Sequence, residues 1–118
     1  MAFIFVYGTL KRGQVSNGFL DGQRFVGPAL TEPAFRLHQL DGYPGMVAAS
    51  PGGCSVEGEV WEVDQACLGR LDEWEGTDTG LYTRAPIRLL PPHDGLGAEA
   101  YLYLRSVEGR PDLGSRFG

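Results

Sequence analysis

The chain has 118 residues, 42% of them hydrophobic, and a formal net charge of −5, which fits one globular domain around one core that needs no disulfide staples. Its ten cations, nine Arg and the single Lys11, are scattered, so no basic stripe marks a nucleic-acid surface, and no apolar run approaches the roughly 20 residues of a membrane span. Cys54 and Cys67 lack a C-x-x-C partner or a histidine at ligand spacing; the expectation is two reduced thiols, no metal centre and, with no cleavable leader, a cytoplasmic location.

The opening segment Ala2-Phe3-Ile4-Phe5-Val6-Tyr7 is a continuous apolar run closed by Gly8, the pattern of a central strand buried on both faces. The polar, glycine-rich Lys11–Gly18 stretch predicts a loop leading to at most a short helix. Strands are then expected from Phe25, over Ala34–Leu40, Met46–Ala49 and Val56–Val63, separated by the turn signals Asp41-Gly42-Tyr43-Pro44-Gly45 and Pro51-Gly52-Gly53, a spacing that belongs to a meander or barrel. Gly58, inside the fourth of these, marks either a close approach or a bulge.

Asp64 is placed as the N-cap of the one convincing helix, whose apolar positions Cys67, Leu68, Leu71 and Trp74 recur at helical spacing until Gly76 ends it. Two further strands, Tyr82–Leu90 and Ala98–Leu104, flank the turn Pro91-Pro92-His93-Asp94-Gly95. Residues 1–107 are expected to form the domain and residues 108–118 a short, loosely ordered tail.

Glu75 draws attention within this pattern. It follows Leu71 by four and Leu68 by seven positions, so it projects from the face that carries core leucines. A carboxylate there meets the negative end of the helix dipole and partial desolvation, and both raise its pKa toward the range useful for general acid–base work. Helical geometry alone leaves two readings open: a solvent-edge glutamate, or a tuned catalytic one. The loop Tyr7-Gly8-Thr9-Leu10 likewise reads as a plain strand-ending turn or as a ligand loop, in which Gly8 would let successive N–H groups converge on an anion or a carbonyl oxygen. It is not a phosphate loop, since no G-K-[ST] follows.

Two segments together, Phe5-Val6-Tyr7-Gly8-Thr9-Leu10-Lys11-Arg12-Gly13 and Leu71-Asp72-x-Trp74-Glu75-Gly76 followed by Tyr82-x-Arg84, resemble the γ-glutamylcyclotransferase-like family, which includes γ-glutamylamine cyclotransferases (AIG2-like proteins). Tyr43-Pro44-Gly45-Met46-Val47 and Val56-Glu57-Gly58-Glu59-Val60-Trp61 extend the similarity over residues 3–104. The resemblance implies an α+β fold, a compact mixed β-barrel of about five to seven short strands with one main helix and a short helix packed outside.

It further implies a cofactor-independent lyase- or acyltransferase-type enzyme that converts a γ-glutamyl amine or dipeptide to 5-oxoproline and a free amine. On this sequence Glu75 would be the general acid and base, and Tyr7, Gly8, Thr9, Leu10 and Tyr82 would bind a small γ-glutamyl substrate, with no metal, nucleic-acid or membrane partner. Many relatives carry a proline soon after the Glu-Gly pair, where this chain has Thr77-Asp78-Thr79-Gly80.

The remaining polar residues read differently. Arg84 is expected to pair with Asp72 or Glu73 rather than with substrate, and Tyr103 is a weaker pocket candidate. His38 and His93 read as a strand and a turn residue. Glu57 and Glu59 read as outward strand residues, so the pair of flanking carboxyls that a glycosidase needs is missing. Two other functions remain open: a non-catalytic binding module of the same fold, and a γ-glutamyl amide hydrolase.

Overall fold

In the computed structural model, which describes residues 1–49 and 51–118, the first strand, β1 (Ala2–Val6), lies in the interior of an eight-stranded mixed sheet. The others are β2 (Arg24–Leu30), β3 (Phe35–Gln39), β4 (Pro44–Ala48), β5 (Glu57–Val63), β6 (Tyr82–Pro86), β7 (Glu99–Tyr103) and β8 (Asp112–Gly114), arranged β2-β5-β1-β7-β4-β3-β8 with β6 paired to β7. The seven expected strands form, and the eighth is added by the tail.

Alternation along β1 divides the core in two. Ile4 and Val6 face α1 (Gln65–Trp74) and pack with Cys67, Leu68 and Leu71, whereas Phe5 and Tyr7 join Leu37, Met46, Val60 and Ala100 in a second cluster. Strands separated in the sheet order share that second cluster, so the sheet curls into a half-barrel around it. The close approach expected at Gly58 is real, because a Cβ there would meet Val6 O and the Phe5 ring.

The single α-helix among the described residues is bounded as its sequence dictates. Asp64 Oδ1 accepts the Cys67 N–H at 2.8 Å, and Gly76 takes the left-handed conformation, φ 70°, that ends the helix and redirects the chain. The short outer helix is the 3₁₀ turn Asn17–Leu20, whose Leu20 is buried. No helix among the described residues is long and apolar enough to cross a membrane. Both cysteines are free thiols, Cys67 being buried on the inner face of α1.

Two expectations need correction. The strand predicted for Tyr82–Leu90 ends at Pro86, which donates no ladder hydrogen bond; beyond it Ile87 N donates to Ala98 O at 3.0 Å and Leu89 forms an isolated bridge to Thr31. The stretch expected to be loose, residues 108–118, carries β8, which pairs with β3 through Leu37↔Gly114 and His38↔Asp112, while Leu113 and Phe117 pack against the half-barrel core. Its polar composition hid these two apolar anchors.

Strand pairing also places a fork beside β1. One edge of β7 is fully occupied by β6, from Tyr82↔Tyr103 to Pro86↔Glu99. The other edge is shared end to end by two parallel neighbours, β1 at Ile4↔Glu99 and β4 at Met46↔Leu102. Where β1 gives way to β4, the chain leaves the sheet as the loop Tyr7–Leu10.

Candidate active site

A cavity of about 300 Å³ opens at this fork. Tyr7, Gly8, Thr9, Leu10, Glu75 and Tyr82, the residues singled out from sequence, all line it. Strand β1 delivers the loop, the end of α1 delivers Glu75 and the start of β6 delivers Tyr82.

The loop turns its carbonyls away and leaves its amides free. Gly8 O accepts from Lys11 N (3.1 Å), Thr9 O from Ser16 N (2.9 Å) and Leu10 O from Asn17 Nδ2 (2.8 Å). No backbone acceptor among the described residues takes the N–H of Gly8, Thr9 or Leu10. Successive amides without partners on a cavity wall form a concavity suited to an anion or a developing oxyanion. Gly8 serves through room and not through unusual backbone angles: its φ is not left-handed, but a Cβ would lie 2.6 Å from Pro44 Cγ.

Glu75 caps α1, with its own N–H donating to Leu71 O at 2.9 Å. Desolvation pushes its carboxyl from the usual glutamate range up to about 7. No side chain among the described residues donates to it. The three nearby phenols have spent their protons elsewhere: Tyr7 on Tyr101 O (2.6 Å), Tyr82 on Pro44 O (2.9 Å) and Tyr101 on Asp72 Oδ1 (2.7 Å). Burial pushes all three phenols up, reinforced at Tyr101 chiefly by Asp72 and at each by the Glu75 charge, so at neutral pH they remain protonated. The carboxyl thus lines the cavity with no side-chain donor bound to it.

Tyr101 was missed from sequence, although it lines the cavity and its register partner on β6 is Arg84, a residue already singled out. Arg84 is structural, as expected, binding Asp72 through Nε and Nη2 (2.9 and 3.1 Å) and Glu99 through Nη1 (2.8 Å). Tyr103 stands behind the cavity, its ring packed edge-on to Tyr82 at 5.3 Å. His38 lies on β3 and His93 in the turn after Leu90, both outside the cavity. Glu59 is not simply outward: it accepts the Arg12 N–H (3.0 Å) and the Trp61 indole N–H (3.2 Å) and so ties down the loop's far end. Tyr43, Pro44, Trp74, Leu81 and Val15 also line the wall. Their signal in the sequence was limited to a turn, a helix end and a loop.

The family model for gamma-glutamyl cyclotransferase, AIG2-like, matches residues 4–116. The chain belongs to this family. It is 35% identical over 106 residues to the gamma-glutamylcyclotransferase family protein YtfP of Escherichia coli K12, covering 90% of this chain and 86% of the relative. It is 40% identical over 102 residues to human gamma-glutamylaminecyclotransferase, covering 75% and 62% respectively. The crystal structure of an AIG2-like protein from Mus musculus superposes with a TM-score of 0.78 at 30% identity, covering 99% of this chain and 88% of that one. Against two further relatives, from Vibrio cholerae and Drosophila melanogaster, the chain spans only 57% and 50% of their lengths.

Proposed function

We propose that this chain is a γ-glutamylcyclotransferase that releases 5-oxoproline and a free amine from a small γ-glutamyl amide, with Glu75 as general base and then general acid. The observation that carries the reading is the pairing, in one cavity, of a partnerless carboxyl with a pKa near 7 and three partnerless backbone amides. The first suits proton transfer at neutral pH, the second suits negative charge.

In the proposed sequence Glu75 takes a proton from the substrate's α-ammonium, exposing a nucleophilic amine. That nitrogen attacks the γ-carbonyl carbon, the new C–N bond closes a five-membered ring, and the carbonyl oxygen becomes an oxyanion. Collapse breaks the bond to the departing nitrogen, and Glu75 returns the proton there. The ring nitrogen gives up its second proton as the ring closes and the amine leaves as an ammonium, so two protons leave the α-nitrogen, two arrive on the released amine, and atoms and charge balance without a co-reactant. Tyr7, Tyr82 and the loop amides hold the γ-glutamyl group folded so that amine and carbonyl meet. Such intramolecular geometry is worth effective molarities of about 10⁵–10⁸ M in favourable cases.

The test is 5-oxoproline release from γ-glutamyl-lysine, γ-glutamyl-alanine, γ-glutamyl-butylamine and glutathione by the wild-type protein and Glu75→Gln. We expect turnover of at least one substrate, a folded and inactive variant, and no reaction of the N-acetylated form of that substrate. Release of N-acetylglutamate from the N-acetylated form would mean that water is the nucleophile and the protein a hydrolase. A folded protein that binds these compounds but turns over none would leave a binding module.

A further inference from the structure

Glu75 is aimed by its helix and by nothing of its own. No side chain among the described residues donates to its carboxyl, and its backbone N–H belongs to α1 through Leu71 O. Its place in the cavity is therefore set by how the last turn of α1, residues 71–74, lies on the sheet. Leu71 is fully buried there, and Trp74 stacks on Phe19 with ring centroids 4.6 Å apart. Apolar contacts are non-directional, however, and by themselves leave a helix end free to roll or slide.

Direction comes from one residue. Among the described residues Asp72 is the only side chain of that turn hydrogen-bonded to the sheet: its Oδ1 accepts the Tyr101 hydroxyl (2.7 Å) and Arg84 Nε (2.9 Å), and its Oδ2 accepts Arg84 Nη2 (3.1 Å). Arg84 and Tyr101 are register partners on β6 and β7, and Arg84 Nη1 is fixed in turn by Glu99 at 2.8 Å, so the fork that grips Asp72 is itself held. The carboxylate and the guanidinium are only 27% and 28% exposed, and a bidentate pair so shielded keeps one geometry. Neither Asp72 nor Arg84 lines the cavity, but Tyr101 does, and its carbonyl accepts the Tyr7 hydroxyl at 2.6 Å. Tyr101 thus links the helix end that carries Glu75 to the first residue of the Tyr7–Leu10 loop.

We propose, on the reading that Glu75 is the acid–base group, that Asp72 is its positioning residue: gripped by Arg84 and Tyr101, it closes the end of α1 onto the sheet and so keeps the carboxyl dry and facing the loop amides. Desolvation is the cause that lifts Glu75 to about 7, so its titration reports how tightly the helix end is closed. The titratable groups facing it across the cavity are phenols: Tyr7 from β1, Tyr43 ahead of β4, Tyr82 from β6 and Tyr101 from β7. Of the charged residues on the neighbouring elements, Glu73 and Asp78 are exposed and Glu99 is bound by Arg84. Lys11 Nζ donates to Phe117 O, and Arg12 pairs with Glu59.

Arg84→Met separates position from charge. Loosening the grip admits water to Glu75 and lowers its midpoint, whereas a purely electrostatic role of the cation predicts a rise, since its loss leaves Asp72 and Glu99 bare. We expect Arg84→Met and Asp72→Asn each to move the titration midpoint of Glu75 down by about one pH unit, toward the ordinary glutamate value. Each should also lower kcat for 5-oxoproline release about tenfold or more while KM changes less, the mark of a displaced reacting group. Tyr101→Phe, which removes one hydrogen bond and no charge, should act the same way by less, and it decides the matter if the other two do not fold. The midpoint is read by ¹³C NMR of the glutamate carboxyls, with the Glu75 signal identified by its loss in Glu75→Gln, and kcat by pH–rate series on the four γ-glutamyl compounds above. A midpoint that stays near 7 or rises in folded Arg84→Met, even with a lowered Tm, overturns the proposal, as does a lowered midpoint with kcat unchanged. A midpoint that falls in a protein that turns over no γ-glutamyl compound leaves Asp72 holding Glu75 in place and removes the cyclotransferase reading alone.

Discussion

The hydroxyl of Tyr7 joins residues 94 positions apart in sequence: it donates to Tyr101 O at 2.6 Å and accepts the Met46 N–H at 3.3 Å. One phenol at the end of β1 therefore plugs the fork at which β7 exchanges β1 for β4. The cavity exists because these two parallel strands do not run side by side there, and Tyr7 satisfies the polar groups that the gap would otherwise orphan.

Tyr7→Phe should then act on architecture and not on proton transfer. Removing the oxygen leaves a buried amide and carbonyl short of a partner, which costs about 1–2 kcal/mol. We predict a lowered Tm and a raised KM, with the pH profile of kcat/KM unchanged, since the Tyr7 proton is committed to Tyr101. Thermal melts and initial rates from pH 5.5 to 9 check this. A lost or shifted limb in the profile would mean that Tyr7 itself transfers the proton.

Glu75 predicts a trade of stability against activity. Its folded pKa of about 7 lies above the ordinary 4.5, so between these values the folded chain binds more protons than the unfolded one, and stability falls as pH rises. The stabilisation is fully present below about pH 4.5 and lost as pH passes through 7, amounting to up to about 3 kcal/mol. Glu75→Gln carries no such charge. The variant should match the wild type in Tm near pH 4.5 and exceed it at pH 8. The wild-type kcat/KM should rise through about pH 7 as the base ionises, which a pH–rate series reads directly.

Gly8 tests the loop. An alanine Cβ would stand 2.6 and 2.8 Å from Pro44 Cγ and Cδ, so either the loop or Pro44 must move. Pro44 also receives the Tyr82 hydroxyl through its carbonyl, and a shift there disturbs two walls of the cavity together. Gly8→Ala is expected to cost about 1–3 kcal/mol, as overpacking does, and to lower kcat/KM at least tenfold by displacing the amide donors, roughly the effect of weakening one such donor. Gly18→Ala, where an added Cβ meets nothing within 4 Å and φ is not left-handed, is the control and should stay within about 0.5 kcal/mol of wild type.

Local signals carried most of the fold and half of the site. The apolar run of β1, the Asp64 cap and the Gly76 stop are written in neighbouring residues, and each produced the element expected of it. Helical periodicity set Glu75 beside Leu71 and Leu68 but left a solvent-edge reading open, and it was the family resemblance that singled the residue out. The contribution of Tyr101, by contrast, depends on the register of β6 against β7 and on a carbonyl that meets Tyr7 across the sheet, and no local pattern encodes either. The same holds for the free amides of residues 8–10: the chain leaves the sheet there, and no backbone carbonyl among the described residues takes them. The tail misled for a related reason, since Leu113 and Phe117 are isolated apolar residues whose burial is decided by a strand, β3, far away in sequence.

That tail supplies the last prediction. Besides the β3 pairing, Gln39 N donates to Pro111 O and Glu57 N to Ser115 O, each at 2.8 Å, Arg36 pairs with Asp112 at 2.9 Å, and Lys11 Nζ reaches Phe117 O at 2.6 Å. The tail thus covers one edge of the half-barrel and also holds the residue that directly follows the Tyr7–Leu10 loop. Deleting residues 108–118 should uncover the apolar surface under Leu113 and Phe117, at about 2–4 kcal/mol for two partly buried side chains, and expose the β3 edge to self-association. Lys11→Met separates the two roles: it breaks only the tether, so Tm should change little while KM rises if the tether positions the loop. Size-exclusion chromatography, thermal melts and steady-state kinetics on both proteins read these outcomes. A truncated chain with wild-type Tm and no self-association would show instead that residues 1–107 fold unaided and that β8 rests on the domain without supporting it.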